Sequence, residues 1–132
     1  MNYRLSNRSK ARLEGVHPDL VACVLRAIEI TEVDFSVLEG LRTAERQAQL
    51  VANGASSTSN SRHLTGHAID LGAYINGSID WSWPLYYKIA DAMKQAADEL
   101  NVDLEWGGDW TTFKDGPHFQ LSWATYPILK GV

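Results

Sequence analysis

Ser61-Arg62-His63-Leu64-Thr65-Gly66-His67-Ala68-Ile69-Asp70, answered near the C-terminus by Asp115-Gly116-Pro117-His118, is the stretch on which the reading of this chain turns. Two imidazoles and a carboxylate suffice to hold a Zn²⁺ ion and leave a position for water. A metal site that keeps an open position is catalytic rather than structural. Asp115, three residues before the last histidine, is the candidate to take that water's proton. Spacing alone is a weak signal, because a lone histidine in a small enzyme is more often a surface or hydrogen-bonded core residue.

The local pattern sorts these residues onto faces. His63, His67 and Asp70 are four and three residues apart, which suits one face of a helix. Thr65 and Gly66 interrupt that helix, and the residues after them alternate. Taken as a strand, the segment puts Asp70 on one face with Ala68 and Gly72, while His67, Ile69, Leu71 and Ala73 point the other way. Small neighbours beside the carboxylate leave room for an ion, and His63, reaching in from the loop, becomes the better ligand. The last strand divides likewise. His118, Gln120 and Ser122 form a polar face, and Phe119, Leu121 and Trp123 a packing face.

Other polar residues carry two readings. Asp115-Gly116-Pro117 is good turn chemistry, and such a turn also places the carboxylate at the mouth of the strand. Glu105, alternating with Leu104 and Trp106, is the rival base, with surface exposure as its simpler fate. Arg42, in Gly40-Leu41-Arg42-Thr43, either donates to a substrate carbonyl or carboxylate or forms a structural ion pair. Trp106-Gly107-Gly108-Asp109-Trp110 reads as an aromatic loop that lines a pocket or packs. Tyr86, Tyr87 and Met93 read as core or helix surface.

Outward from the motif, the chain alternates helix and strand signals. Ser6 caps a short helix ending near Gly15, and Pro18 opens a second with Leu20, Val21, Val24, Leu25 and Ile28 as its apolar stripe. Asp34–Leu38 is a short strand, and Thr43 caps a helix over Ala44–Ala52, closed by Asn53-Gly54. A polar loop from Ala55 to Arg62 is expected to shape a cleft. Ala68–Tyr74 and Ser78–Trp81 flank Asn76-Gly77, a strong hairpin signal. Pro84 opens the longest helix, and Val102–Trp106 and His118–Trp123 are two further strands. The expectation is α+β, a small antiparallel sheet with helices packed on it.

The 132 residues suit a single domain over 1–132 with no separate binding module. A lone cysteine, Cys23, forms no internal disulfide and sits in an apolar helical pattern, which favours core packing over a reactive thiol. The net charge of −4, without a basic block, argues against a nucleic-acid partner. No run approaches the ~18 apolar residues that span a bilayer, and the N-terminus lacks the apolar core of an export signal. Neither membrane insertion nor export is therefore expected.

Ser61-x-His63-x-x-Gly66-x-Ala68-x-Asp70 together with Asp115-x-x-His118 resembles the zinc D-alanyl-D-alanine peptidase family, of the hedgehog/D-Ala-D-Ala peptidase-like fold. Within it the chain is most similar to single-domain phage endolysins that cleave between L-alanine and D-glutamate in peptidoglycan. The resemblance runs from about residue 5 to 123 and takes in Gly40-x-Arg42-Thr43, the Ala52-Asn53-Gly54-x-Ser56 turn and Tyr74-Ile75-Asn76-Gly77. It implies that His63, Asp70 and His118 ligate zinc, that Asp115 is the catalytic acid/base and that Arg42 contacts substrate. Less firmly, it implies a substrate or supporting role for Ser61. His67 falls at a variable motif position and inherits nothing.

The implied partners are peptidoglycan stem peptides, met by a monomer made in the host cytoplasm and acting on the wall after membrane breach. Two alternatives stay open. One is a D-alanyl-D-alanine carboxypeptidase or dipeptidase with the same metal chemistry. The other is a zinc-stabilised wall-binding module without catalysis, against which a base at Asp115 argues.

Overall fold

The computed structural model describes residues 3–54 and 61–127. Most of the polar loop expected to shape the cleft, 55–60, and Ser56 of the expected turn lie outside the described residues. Among the described residues four α-helices and five strands follow one another as α1 (Asn7–Arg12), α2 (Pro18–Ile30), β1 (Phe35–Glu39), α3 (Ala44–Ala52), β2 (Ala68–Ile75), β3 (Ser78–Asp80), α4 (Trp83–Leu100), β4 (Leu104–Trp106) and β5 (His118–Leu121). A 3₁₀ turn over Arg62–Thr65 precedes β2.

Side-chain caps set the helix starts. Ser6 Oγ accepts from Ser9 N at 3.1 Å, and Thr43 Oγ1 accepts from Arg46 N at 3.1 Å, each relieving a backbone donor that the first turn leaves unpaired. For α2 the cap is His17, whose Nδ1 accepts from Asp19 N at 3.0 Å, ahead of Pro18 in the first turn. Leu20, Val24 and Ile28 are buried as their spacing requires, with Cys23 and Ala27 beside them. Leu25 departs from the expected stripe and is exposed, because it lies about 100° round the helix from Val24.

β2 organises the sheet, whose order is β1-β2-β5-β4. On one side β2 pairs antiparallel with β1, setting Ala73 opposite Phe35. On the other side it pairs first with β5, from Ala68↔Gln120 to Asp70↔His118, and then with β3, from Ala73↔Asp80 to Ile75↔Ser78. Asn76 and Gly77 both have positive φ, 52° and 87°, as the two-residue turn with matching twist demands. Between β5 and β3 one edge of β2 is open, and there Leu71 N donates to Pro117 O at 2.8 Å. The Asp115-Gly116-Pro117 turn therefore sits against the middle of the central strand.

The two faces divide as the alternation predicts. Ile69, Leu71 and Ala73, with Phe35, Val37, Phe119 and Leu121, join one core with Leu20 and Val24 of α2 and Ile89, Met93 and Ala96 of α4. Asp70 and His118 share the opposite face at paired positions. Trp123 leaves the expected packing face: β5 ends at Leu121, and the indole is 41% exposed. The Arg62 guanidinium lies over its ring at 4.1 Å, a contact that offsets the exposure.

Cys23 is fully buried, and burial, then the Asp19 charge, pushes its thiol up to about 11. A thiol so rarely ionised is a poor nucleophile. At pH 8 the folded protein is expected to be silent to a chromogenic disulfide reagent and to release one equivalent once denatured. Rapid labelling of the native protein would contradict this packing.

Candidate metal centre

Three elements deliver the site. His63 comes from the 3₁₀ turn, where Ser61 Oγ accepts from His63 N at 3.2 Å. The turn closes on Gly66 at φ 76°. A Cβ at Gly66 would stand 2.2 Å from Gly15 O, so the motif glycine is required both by its left-handed backbone and by the close approach of a second chain segment. Gly66→Ala is expected to destabilise the fold by at least about 2 kcal/mol, read as a lower denaturant midpoint. An unchanged midpoint would refute that account of the glycine.

The outer nitrogen of each imidazole is already occupied, and this aims the inner one. His63 Nδ1 lies 2.9 Å from Gly40 O. A carbonyl only accepts, so Nδ1 carries the proton and Nε2 keeps its lone pair. His118 Nε2 lies 2.8 Å from Gln120 Oε1, and Gln120 Nε2 donates to Glu105 Oε2 at 3.2 Å. The Glu105 carboxylate fixes which end of the Gln120 amide faces His118, so His118 Nε2 donates and Nδ1 keeps its lone pair. Supporting hydrogen bonds of this kind orient imidazoles at metal sites.

Both lone pairs meet Asp70. His63 Nε2 and His118 Nδ1 each stand 3.3 Å from Asp70 Oδ1. Neither approach has hydrogen-bond geometry, and Oδ1 is buried without a hydrogen-bond partner. The three donor atoms lie within 4.8 Å of one another, and among the described residues no fourth ligand joins the group. Two donors bound at the usual zinc distances to a tetrahedral ion stand about 3.3 Å apart. An orphaned carboxylate oxygen between two imidazole lone pairs thus fits a divalent cation.

Charge organises the surroundings. A proton on either facing nitrogen pairs with Asp70: burial acts to raise its pKa, but the imidazoles of His118 and His63 outweigh it and hold the carboxyl well below its usual range. His118 is pushed up: burial opposes the shift, while Asp70 and then Gln120 and Asp115 overcome it. Asp115 is also pushed up, by burial first and then by the Asp70 charge, against the pull of His118, His63 and Arg42. Two carboxylates in one site are thereby driven apart, as acid/base chemistry requires.

The structure brings Asp115 to the site on a turn held at three points. Asp115 N donates to Gly107 O at 3.0 Å, His118 N donates to Asp115 O at 3.2 Å, and Trp106 Nε1 donates to Gly116 O at 2.7 Å. Arg42 reaches the edge of the site, with Nη2 3.9 Å from Asp70 Oδ2. Its guanidinium also grips Glu39 through Nε at 2.5 Å and Nη2 at 2.8 Å, and Gln47 through Nη1 at 2.6 Å. Its main-chain N donates to His63 O at 2.9 Å, so Gly40-Leu41-Arg42 brackets His63.

His67 is set apart, its Nδ1 2.7 Å from Thr65 Oγ1 and its ring beside His17 at 5.5 Å. Glu105, the rival base, stands behind His118 as the last member of the His118–Gln120–Glu105 chain. Trp110 borders the site, its ring 5.2 Å from that of His118. Sequence reasoning set Gln120 on the polar face and Gly40 in a turn but gave neither a supporting role, and it did not name Glu39. The alternation of β5 already set Gln120 on the face of His118, but the pairing Glu105↔Gln120 is a matter of strand register.

Comparison with known proteins supplies relatives. The family described as phage L-alanyl-D-glutamate peptidase matches residues 1–121. The chain is 37% identical over 130 residues to the L-alanyl-D-glutamate peptidase of Escherichia phage T5, covering 96% of this chain and 94% of that protein. It is 32% identical over 123 residues to the L-alanyl-D-glutamate peptidase of Listeria phage A118, covering 91% of this chain and 43% of that longer protein. The crystal structure of the Serratia marcescens L-Ala D-Glu endopeptidase ChiX matches with a TM-score of 0.90 and 48% identity over 95% of each chain. The α+β reading holds in this superposition.

Proposed function

The chain belongs to the phage L-alanyl-D-glutamate peptidase family, and from that premise we propose how its own residues hydrolyse the L-alanyl-D-glutamate bond of peptidoglycan stem peptides. The observation that carries the reading is the buried Asp70 Oδ1 between the lone pairs of His63 Nε2 and His118 Nδ1. We assign these three side chains as ligands of a Zn²⁺ ion. When bound, the ion polarises the scissile carbonyl and brings the pKa of water down to about 7.

The remaining chemistry belongs to the chain. Asp115, its pKa raised by burial and then by the Asp70 charge, accepts the proton of the attacking water and delivers it to the leaving amine of D-glutamate. Arg42 spends three of its five N–H donors on Glu39 and Gln47, and the others face the substrate's carbonyl oxygen or carboxylate. Ser61 Oγ accepts from His63 N, which leaves its own hydrogen for the peptide. Trp110 and the buried walls around His118 limit water at the site.

The 1–132 chain acts in this scheme as one monomeric catalytic domain, most of its described buried apolar residues gathered in one core. Among the described residues no helix is long and apolar enough to cross a membrane. The proposed place of action is the cell wall, reached from the host cytoplasm once the membrane is breached.

Digestion of defined muropeptides, read by mass spectrometry, tests the assignment. New fragments with D-glutamyl amino termini are expected, and their loss on chelation with return on adding Zn²⁺. Release of free D-alanine would make it a D-alanyl-D-alanine carboxypeptidase or dipeptidase instead. Wall binding without any cleavage would leave a non-catalytic module.

A further inference from the structure

Tyr86 of α4 is buried, 4% exposed, and its hydroxyl is buried with no hydrogen-bond partner. A phenol oxygen left unpaired in a protein interior is destabilising, so phenylalanine would serve packing better. The ring does have a clear packing role. A Cβ at Gly116 would stand 2.9 Å from Tyr86 Cδ2 and 3.1 Å from Cγ, so the ring lies directly on the backbone of the turn that carries Asp115. Trp83 meets it edge-on at 5.8 Å.

The half-buried acid on that same turn has no protein donor among the described residues either. The Asp115 carboxylate accepts no hydrogen bond from any described side chain or main-chain donor, whereas the other acids near Tyr86 are engaged. Asp80 Oδ1 accepts from Ser82 N at 2.9 Å and from Ser82 Oγ, and Asp70 faces both imidazoles and Arg42. A lone donor and a lone acceptor therefore occupy adjacent, packed segments. We propose that Tyr86 is a positioning residue for Asp115, its O–H donating to the Asp115 carboxylate when that side chain rotates on its fixed turn in the substrate complex, and holding it in line for proton transfer. Burial first, then the Asp115 charge ahead of those of Asp80 and Asp70, pushes the phenol up to about 12, so it stays protonated and able to donate throughout the working range.

The inference rests on the reading of Asp115 as acid/base, and the test separates the two. In the metal-loaded enzyme, Tyr86→Phe keeps the ring and removes only the unpaired oxygen. It is expected to lower kcat about tenfold with KM little changed, while the unfolding midpoint holds or rises. In an Asp115→Asn background the same change is expected to cost nothing further, since the two act as a unit. An unchanged kcat in Tyr86→Phe with an inactive Asp115→Asn would overturn the role of Tyr86 alone. A fall in unfolding midpoint would show that the hydroxyl is a structural bond and overturn it likewise. Full activity of Asp115→Asn would instead overturn the reading on which it stands.

Discussion

Replacing Asp115 with asparagine is expected to cut hydrolysis by about 10²–10⁴, the usual worth of a positioned acid/base, while one equivalent of bound metal remains. The carboxylate lies on a turn fixed by Gly107, Trp106 and the main chain of His118, and asparagine nearly matches its shape. The three proposed ligands are untouched, so metal content separates loss of chemistry from loss of the site. The burial that raises Asp115 means its deprotonated, basic form is lost sooner as pH falls than for an ordinary aspartate. The acidic limb of kcat/KM in the wild-type enzyme is accordingly expected at higher pH than for an ordinary aspartate. A wild-type rate in Asp115→Asn would move the base elsewhere.

Asp70→Ala is expected to do more: metal content and activity are both lost. Asp70 Oδ1 is the atom on which the other two proposed ligands converge, and its charge raises the pKa of His118 against burial. Without it two imidazoles remain, both tied at their outer nitrogens, and a two-ligand site holds Zn²⁺ poorly. The fold is expected to persist, because Asp70 is partly exposed and the strand pairings around it are main-chain. Dialysed protein assayed for metal and for muropeptide cleavage checks both halves. Retained metal in this variant would mean that the ion sits elsewhere.

Much of this architecture is written in local patterns. Alternation alone separated Asp70 and His118 from Ile69, Leu71, Phe119 and Leu121, because a half-buried strand has a period of two. Thr43, Pro18 and Asn76-Gly77 marked boundaries because caps and positive-φ turns are local chemistry. The parts that escaped depend on distant segments. The 3₁₀ turn at Arg62–Thr65 holds because Arg62 is buried, its Nη2 donating to Leu121 O at 2.9 Å, Ser122 O at 3.1 Å and Tyr126 O at 2.9 Å. Nothing near residue 62 in the sequence announces those carbonyls.

The same holds for the supporting layer of the site. Gln120 and Glu105 line up behind His118 only once β4 and β5 are in register, and Arg42 meets Glu39 across the bend that follows β1. Tyr86, an aromatic in an amphipathic helix, reads as packing in any linear pattern. Its unpaired hydroxyl becomes visible only with the turn of Asp115 seated against it.

The central claim is that three side chains, aimed by their outer bonds, hold one divalent cation with solvent access. X-ray diffraction from zinc-loaded crystals, with anomalous data on both sides of the zinc edge, tests it most directly. A single zinc peak bound by His63 Nε2, Asp70 and His118 Nδ1, with the remaining position taken by water, is the predicted result. No peak there, or a fourth protein ligand closing the shell, would contradict the account.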